Sequence, residues 1–189
     1  QADLLKLGSL GRSFDVIESV GVLHHLADPW TGCQVLLSLL RPGGLMRLGF
    51  YSEVARRNII RIRNFIAEQG YGSTANEIRR YRQDLVDLDK SADFGTTLKS
   101  PDFFSISTCR DLLFHVQEHR MTLTSIDAFL RDNNLAFLGF EIGDDILHAY
   151  KRRFPDDRAA TNLAQWQTFE NENPDTFFGM YQFWIQKVG

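Results

Sequence analysis

The chain has 189 residues, 43% hydrophobic and 24% charged, an ordinary globular balance with enough length for one sizeable core. Its formal net charge of -3 leaves no basic footprint for a phosphate backbone, so a nucleic-acid partner is not expected. No run of about 18 apolar residues is present to span a bilayer, and the first residues lack the regions of a secretory signal, so no membrane partner is expected either.

Taken in order, FDVIESV at 14–20 is a short β-branched run that predicts a strand. The ADPW of 27–30 places Asp28 and Pro29 where a helix would begin, and Val35, Leu36, Leu39 and Leu40 carry helical spacing up to the RPGG of 41–44, which predicts its stop. LMRLGFY at 45–51 then predicts a second buried strand. Strand, helix, turn and strand within about 40 residues is a βαβ unit, so the fold class is α/β with parallel strands covered by helices.

From Ser52 to about Gln69, Val54, Ile59, Ile62, Phe65 and Ile66 predict one apolar helical face, with Arg56, Arg57, Arg61 and Arg63 largely off it and Gly70 and Gly72 at its end. A polar helix is predicted from Thr74 to about Asp89, then a long loop from about Lys90 to Ser107, of the kind that serves as a lid or binding segment. A helix opens at TLTSID and runs to about Asn133. LAFLGFEI at 135–142 and MYQFWIQKV at 180–188 read as strands, separated by Asp- and Pro-containing turns and a helix around Asn162 to Glu172. That order suits a sheet ending in an antiparallel, hairpin-like pair.

Cys33 and Cys109 show no metal-ligand or CxxC spacing and suit buried thiols in a reducing compartment, so the expected localisation is cytoplasmic. Gln1 is not an ordinary translation start, and the chain is expected to be processed, truncated or excised from something longer.

FDVIESVGVLHHLADPW followed by LLSLLRPGGLMRLGFYS resembles the fourth and fifth strand region of class I S-adenosylmethionine-dependent methyltransferases, over about the first 52 residues. The resemblance implies a partial Rossmann-like sheet, strands four to seven with flanking helices, and a helical insertion after strand five. It divides the chain into a cofactor-side core at 1–52, a helical and loop insertion at 53–134 and a strand-helix-strand end at 135–189. The implied cofactor is S-adenosylmethionine and the implied activity is methyl transfer to an acceptor, expected to be a small molecule.

Several residues acquire candidate roles from that match. Ala2, Asp3 and Leu4 fall where the family's Asp accepts a hydrogen bond from the adenine amino group, a task suited to a pure acceptor; the alternative for Asp3 is a solvated loop position. Glu18, Ser19, Val20 and Leu23 fall at the carboxyl end of the fourth strand, where ligands sit in open α/β sheets, and are cofactor-binding candidates. His24 and His25 are the catalytic candidates, or else a helix-entry pair with one ring buried and the other exposed. Tyr51, at the end of the fifth strand, is a substrate-binding candidate.

STCRDLLFHVQEH at 107–119 resembles a bacterial branch of these enzymes, some of which are joined to tetratricopeptide repeats. Arg110, Asp111, His115 and Glu118 are its substrate-binding candidates; the alternative is an ordinary surface helix with internal ion pairs.

The family's first strand, with its glycine-rich turn, is absent from these residues, and LGSLG at 7–11 follows no strand and does not replace it. The fourth strand should then carry an unpaired edge, which predicts a homodimer or a missing N-terminal half. Two rival readings stand beside the methyltransferase. HVQEH at 115–119 matches the inverted zinc-peptidase motif, with no clear third ligand downstream and no metal site expected. A degenerate methyltransferase-like interaction domain is the other, with the arginines from Arg56 to Arg63 and Arg79, Arg80 and Arg82 as an acidic-partner surface or a solvated face.

Overall fold

The computed structural model describes residues 2–88, 101–114 and 118–188. They form two compact units, Gln1–Ala55 with Gln117–Gly189, and Arg56–Val116.

The first unit is built on a five-stranded mixed sheet. Strand β1 (Phe14–Val20) pairs in parallel with β2 (Leu40–Ser52), and helix α1 (Pro29–Leu39) makes the crossover between them. Asp28 caps α1, its carboxylate accepting from the Trp30 amide at 3.0 Å and the Thr31 hydroxyl at 2.6 Å, while Pro29 occupies the first turn, where no amide is needed. RPGG at 41–44 does not separate helix from strand as predicted. The strand starts at Leu40 and carries these residues as an irregularity between the pairs Phe14 with Leu40 and Val16 with Leu45, the backbone turning at Gly43 with φ 76°.

The far end of the sheet is the predicted antiparallel pair, with one strand inserted between its partner and β2. Strand β3 is the two-residue Arg120–Met121, parallel to Tyr51 and Ser52 of β2. Strands β4 (Leu135–Phe140) and β5 (Met180–Lys187) pair antiparallel, and the order is β1-β2-β5-β4. Among the described residues β1 has no neighbour on its outer side.

Alternation along the strands sends Met46, Leu48 and Phe50 of β2 and Tyr181, Phe183 and Ile185 of β5 into one core. Three further helices contribute to it, α6 (Leu123–Asp132), α7 (Asp144–Arg153) and α8 (Leu163–Glu172). Trp166 stacks on Tyr150 with ring centroids 3.7 Å apart, and Trp30 stacks on Phe129 at 4.4 Å. The opposite face carries polar residues: Arg47 reaches Glu141 at 2.5 Å and Glu18 at 3.2 Å, and Trp184 Nε1 donates to Glu141 at 2.7 Å.

Helix α7 lies where turns alone were predicted between the last two strands. Its signal is electrostatic: Asp144 and Asp145 open it and Lys151, Arg152 and Arg153 close it, complementing both ends of the helix dipole. Helix α6, grouped by sequence with the 53–134 insertion, lies within the first unit.

The second unit consists of α2 (Arg57–Glu68), α3 (Ala75–Leu88) and two shorter helices, α4 (Pro101–Phe104) and α5 (Ile106–Phe114). Ile62 and Ile66 pack with Ile78, Tyr81, Leu85, Phe103, Cys109 and Leu113, as the predicted apolar face of α2 requires. Its arginines do not form a uniformly solvated face. Arg56 is only 5% exposed and Arg63 donates to the Leu112 carbonyl at 2.7 Å, because a long stem can bury along apolar surface while the guanidinium keeps a polar partner.

Candidate functional site

Two groupings in the first unit gather half of the site residues singled out by sequence. The first is a groove of about 460 Å³ beside β1, lined by Leu4, Glu18, Ser19 and Val20 together with apolar side chains including Leu7, Leu10, Val22 and Leu36. Ser19 is 6% exposed, and its hydroxyl has no hydrogen-bond partner among the described residues. A buried hydroxyl in that condition is costly unless a ligand or water meets it. Glu18 is held from the side by Arg47.

Asp3 caps the short 3-10 turn Leu4–Leu10, its Oδ1 accepting from the Leu5 amide at 3.1 Å, with Lys6 at 3.9 Å from the other oxygen. The side chain is 52% exposed, so it retains acceptor capacity toward solvent. Ala2 is exposed. Leu23 is fully buried, packed where a Cβ on Gly32 would meet its Cδ2 at 2.7 Å; it belongs to the core beneath the β1 turn rather than to the groove wall.

The second grouping is aromatic. His24 and His25 lie in the 3-10 turn Leu23–His25 that follows β1, and Tyr51 lies at the end of the neighbouring strand. The His24 ring centroid is 4.0 Å from Tyr51 and 4.3 Å from His25, with His25 6.1 Å from Tyr51. His24 is fully buried and His25 partly so, and both face the carboxyl ends of the two parallel strands. The predicted catalytic pair and one predicted substrate residue thus share one place because β1 and β2 run side by side.

Residues outside the predicted site complete this end of the sheet. The His119 amide donates to the His24 carbonyl at 2.8 Å, tying the approach to β3 to the histidine turn. The Thr31 hydroxyl, then the Trp30 amide, hold the Asp28 carboxyl below the usual aspartate range, with a smaller contribution from His119. Burial pushes the Cys33 thiol up to about 12, which removes it from nucleophilic chemistry at neutral pH. On the far side, Ser52 and Tyr181 both donate to the buried Glu170. The Asp28 cap follows from the local ADPW motif, whereas the His119 and Glu170 contacts join distant parts of the chain that no local motif announces.

Arg110 and Asp111 lie in the second unit, exposed on α5, and Arg110 Nε donates to the Ser73 carbonyl at 2.9 Å. Glu118 is partly buried in the first unit. His115 and the greater part of the predicted lid lie outside the described residues, and with His115 goes half of the HVQEH histidine pair. Among the described residues no group of three His, Cys, Asp or Glu side chains could hold a metal ion, and no helix is long and apolar enough to cross a membrane.

The parallel pair followed by the inserted antiparallel strand is similar to a methyltransferase fold. Its similarity to solved structures extends over nearly the whole chain. PKMT2 from Rickettsia typhi aligns over 97% of this chain and 37% of its own with a TM-score of 0.69 and 14% identity. The same protein in complex with AdoHcy aligns over 97% and 38% with a TM-score of 0.71 and 12% identity.

In sequence, an uncharacterized protein of Synechococcus sp. is 29% identical over 152 residues, covering 76% of this chain and 36% of that protein. The ubiquinone biosynthesis O-methyltransferase of Parvibaculum lavamentivorans is 48% identical over 40 residues, 21% of this chain and 16% of the enzyme. No protein-family model matches. The chain therefore spans little more than a third of the length of PKMT2 and of the Synechococcus protein.

Proposed function

We propose that the chain forms the acceptor-side part of an S-adenosylmethionine-dependent methyltransferase that acts on a small-molecule acceptor. The observation that carries this reading is the methyltransferase fold extending over 97% of the chain, in a likeness that includes a neighbour in complex with AdoHcy, the product S-adenosylmethionine becomes once its methyl has left. The donor sites of the chain fit such a molecule. Asp3 offers an exposed carboxylate to an exocyclic amine, the buried Ser19 hydroxyl needs a partner, and Glu18 presents a carboxylate oriented by Arg47 toward hydroxyl groups.

S-adenosylmethionine supplies an electrophilic methyl on a sulfonium, so the protein's share of the work is alignment of the acceptor behind that carbon and removal of its proton. His25, the less buried of the pair, is suited to take the proton, and the His24 ring against Tyr51 forms a rigid wall that orients the acceptor. The net charge of -3 favours a small acceptor over nucleic acid.

Calorimetric titration of S-adenosylmethionine and AdoHcy into this chain, and into the complete product of its gene, tests the reading. Binding by the complete product that weakens in Ser19→Ala and Glu18→Ala supports it. Absence of binding by both proteins overturns it and leaves the interaction-domain reading in its place.

A further inference from the structure

We propose that Phe178 is a contact residue for the methyl acceptor, an exposed ring in the turn that leads into β5 at the end where Met180 pairs with Tyr51; this rests on the methyltransferase reading above. Three described residues other than glycine have positive φ: Asn134 at 54°, Ala160 at 57° and Phe178 at 39°. The first two have local reasons. Asparagine tolerates the left-handed region better than other side-chain-bearing residues. Ala160 is buried in a turn where its amide donates to the Asp157 carbonyl at 3.0 Å and its own carbonyl accepts from Trp166 Nε1 at 2.8 Å.

Phe178 has neither reason. Its ring is 92% exposed, and glycine or asparagine would adopt the same backbone with less strain. The turn does not need the ring for its own packing. Phe177 next to it supplies the buried aromatic, 4.7 Å from Phe140 and 4.8 Å from Tyr181. The backbone is held independently by Thr176 N to Asn173 O at 3.0 Å, Met180 N to Phe177 O at 2.8 Å and Ser52 N to Gly179 O at 3.0 Å.

A single exposed aromatic residue is unremarkable on most surfaces. Here, strain and exposure coincide at one place. Met180 is the register partner of Tyr51, so the Phe178 backbone, two residues earlier, lies within roughly 13 Å of Tyr51 by chain geometry. That is the strand end where the His24, His25 and Tyr51 rings gather. Covering the Phe178 ring with an apolar part of an acceptor removes that surface from water and strengthens acceptor binding, without requiring any contact with the cofactor.

The test uses the complete gene product with S-adenosylmethionine tritiated at the methyl, and a total soluble extract of the producing cells as acceptor, separated afterwards by size. AdoHcy affinity and Tm are measured in parallel. Phe178→Asn, which suits the backbone but lacks the ring, should lower transfer at limiting extract by about tenfold. Its AdoHcy affinity should stay at the wild-type value and its Tm should be unchanged or raised, while Phe178→Tyr should retain transfer. Transfer by Phe178→Asn equal to wild type overturns this inference alone, as does a fall in Tm accompanied by weakened AdoHcy binding. A wild-type protein that transfers no label overturns the methyltransferase reading and this inference with it.

Discussion

Ser52 Oγ donates to the buried carboxylate of Glu170 across 2.5 Å, joining the last residue of β2 to helix α8, while the Tyr181 hydroxyl donates to the other carboxylate oxygen at 2.7 Å. Burial first, and then the neighbouring Glu170, raise the Tyr181 phenol well above its ordinary value, so it stays a donor at every accessible pH. Glu170→Ala strands the Ser52 and Tyr181 donors, among others, at the end of the sheet and should cost about 3 kcal/mol, whereas Glu170→Gln keeps one acceptor and should cost about 1.5 kcal/mol. Urea unfolding monitored by tryptophan fluorescence measures both. An Ala variant as stable as wild type would remove the network from the account of what holds β2 and β5 at the site.

Gly32 lets α1 approach the turn that carries the histidines. A Cβ there would sit 2.4 Å from Leu26 Cδ1 and 2.7 Å from Leu23 Cδ2. Gly32→Ala is therefore expected to lose about 1 to 3 kcal/mol by overpacking, despite alanine's better helix propensity. Thermal unfolding decides the sign; a raised Tm would mean that the turn yields freely and that its position is not set by this contact.

Asp157 ties the turn after α7 to its surroundings, accepting from the Tyr150 hydroxyl at 2.6 Å, the Asn162 amide at 2.9 Å and the Thr161 amide at 3.2 Å. Burial alone would raise its pKa, but the Tyr150 hydroxyl and then the backbone amides outweigh that and leave it below the usual 3.8. A carboxyl depressed in the folded state contributes stability that is complete above the unfolded value and is lost as pH falls through the folded one. The Asp157 contribution should thus be full at neutral pH and shrink as the pH falls below about 4. Asp157→Asn should be less stable than wild type at pH 7 by a wider margin than at pH 3, by denaturant titration at both. An equal difference at the two pH values would show that the carboxylate charge plays no part.

His24 and His25 should separate under substitution. His24 is fully buried against Tyr51, so His24→Ala is expected to cost about 2 to 4 kcal/mol of stability before any effect on chemistry is read. His25 is less buried, and His25→Ala should leave Tm near wild type while lowering methyl transfer by about 100-fold if its imidazole takes the acceptor proton. Rescue of the His25→Ala variant by added imidazole distinguishes that role from positioning. Absence of rescue would leave His25 as a wall residue only.

Much of the fold was legible from local pattern. The strand at 14–20 and the helices ending near Leu39 and Asp132 coincide with the prediction to within a residue or so, because β-branched runs, Asp-Pro starts and helical spacing are local signals. Helix α7 was not found, since its few apolar residues were outnumbered by charges whose dipole-complementing order carried the information. Of the candidate site, the two words FDVIES and VLHHL gathered Glu18, Ser19, His24 and His25 on adjacent positions. That Tyr51 meets His24 was not foreseen, because it depends on the pairing of β1 with β2.

By itself, the sequence determined the α/β class, the βαβ unit and the stretch after β1 where polar residues collect, since each depends on periodicity and turn chemistry within a few tens of residues. Tertiary structure alone decided that β5 inserts between β2 and β4, which puts Met180 opposite Tyr51, Ser52 onto Glu170 and the turn that carries Phe178 at the carboxyl end of β2. It also decided which of two adjacent histidines is buried. The pairing of β2 with β5 joins residues more than 100 apart along the chain, and in every one of these pairings the register is chosen by which faces of the strands can be buried together rather than by any motif in either strand.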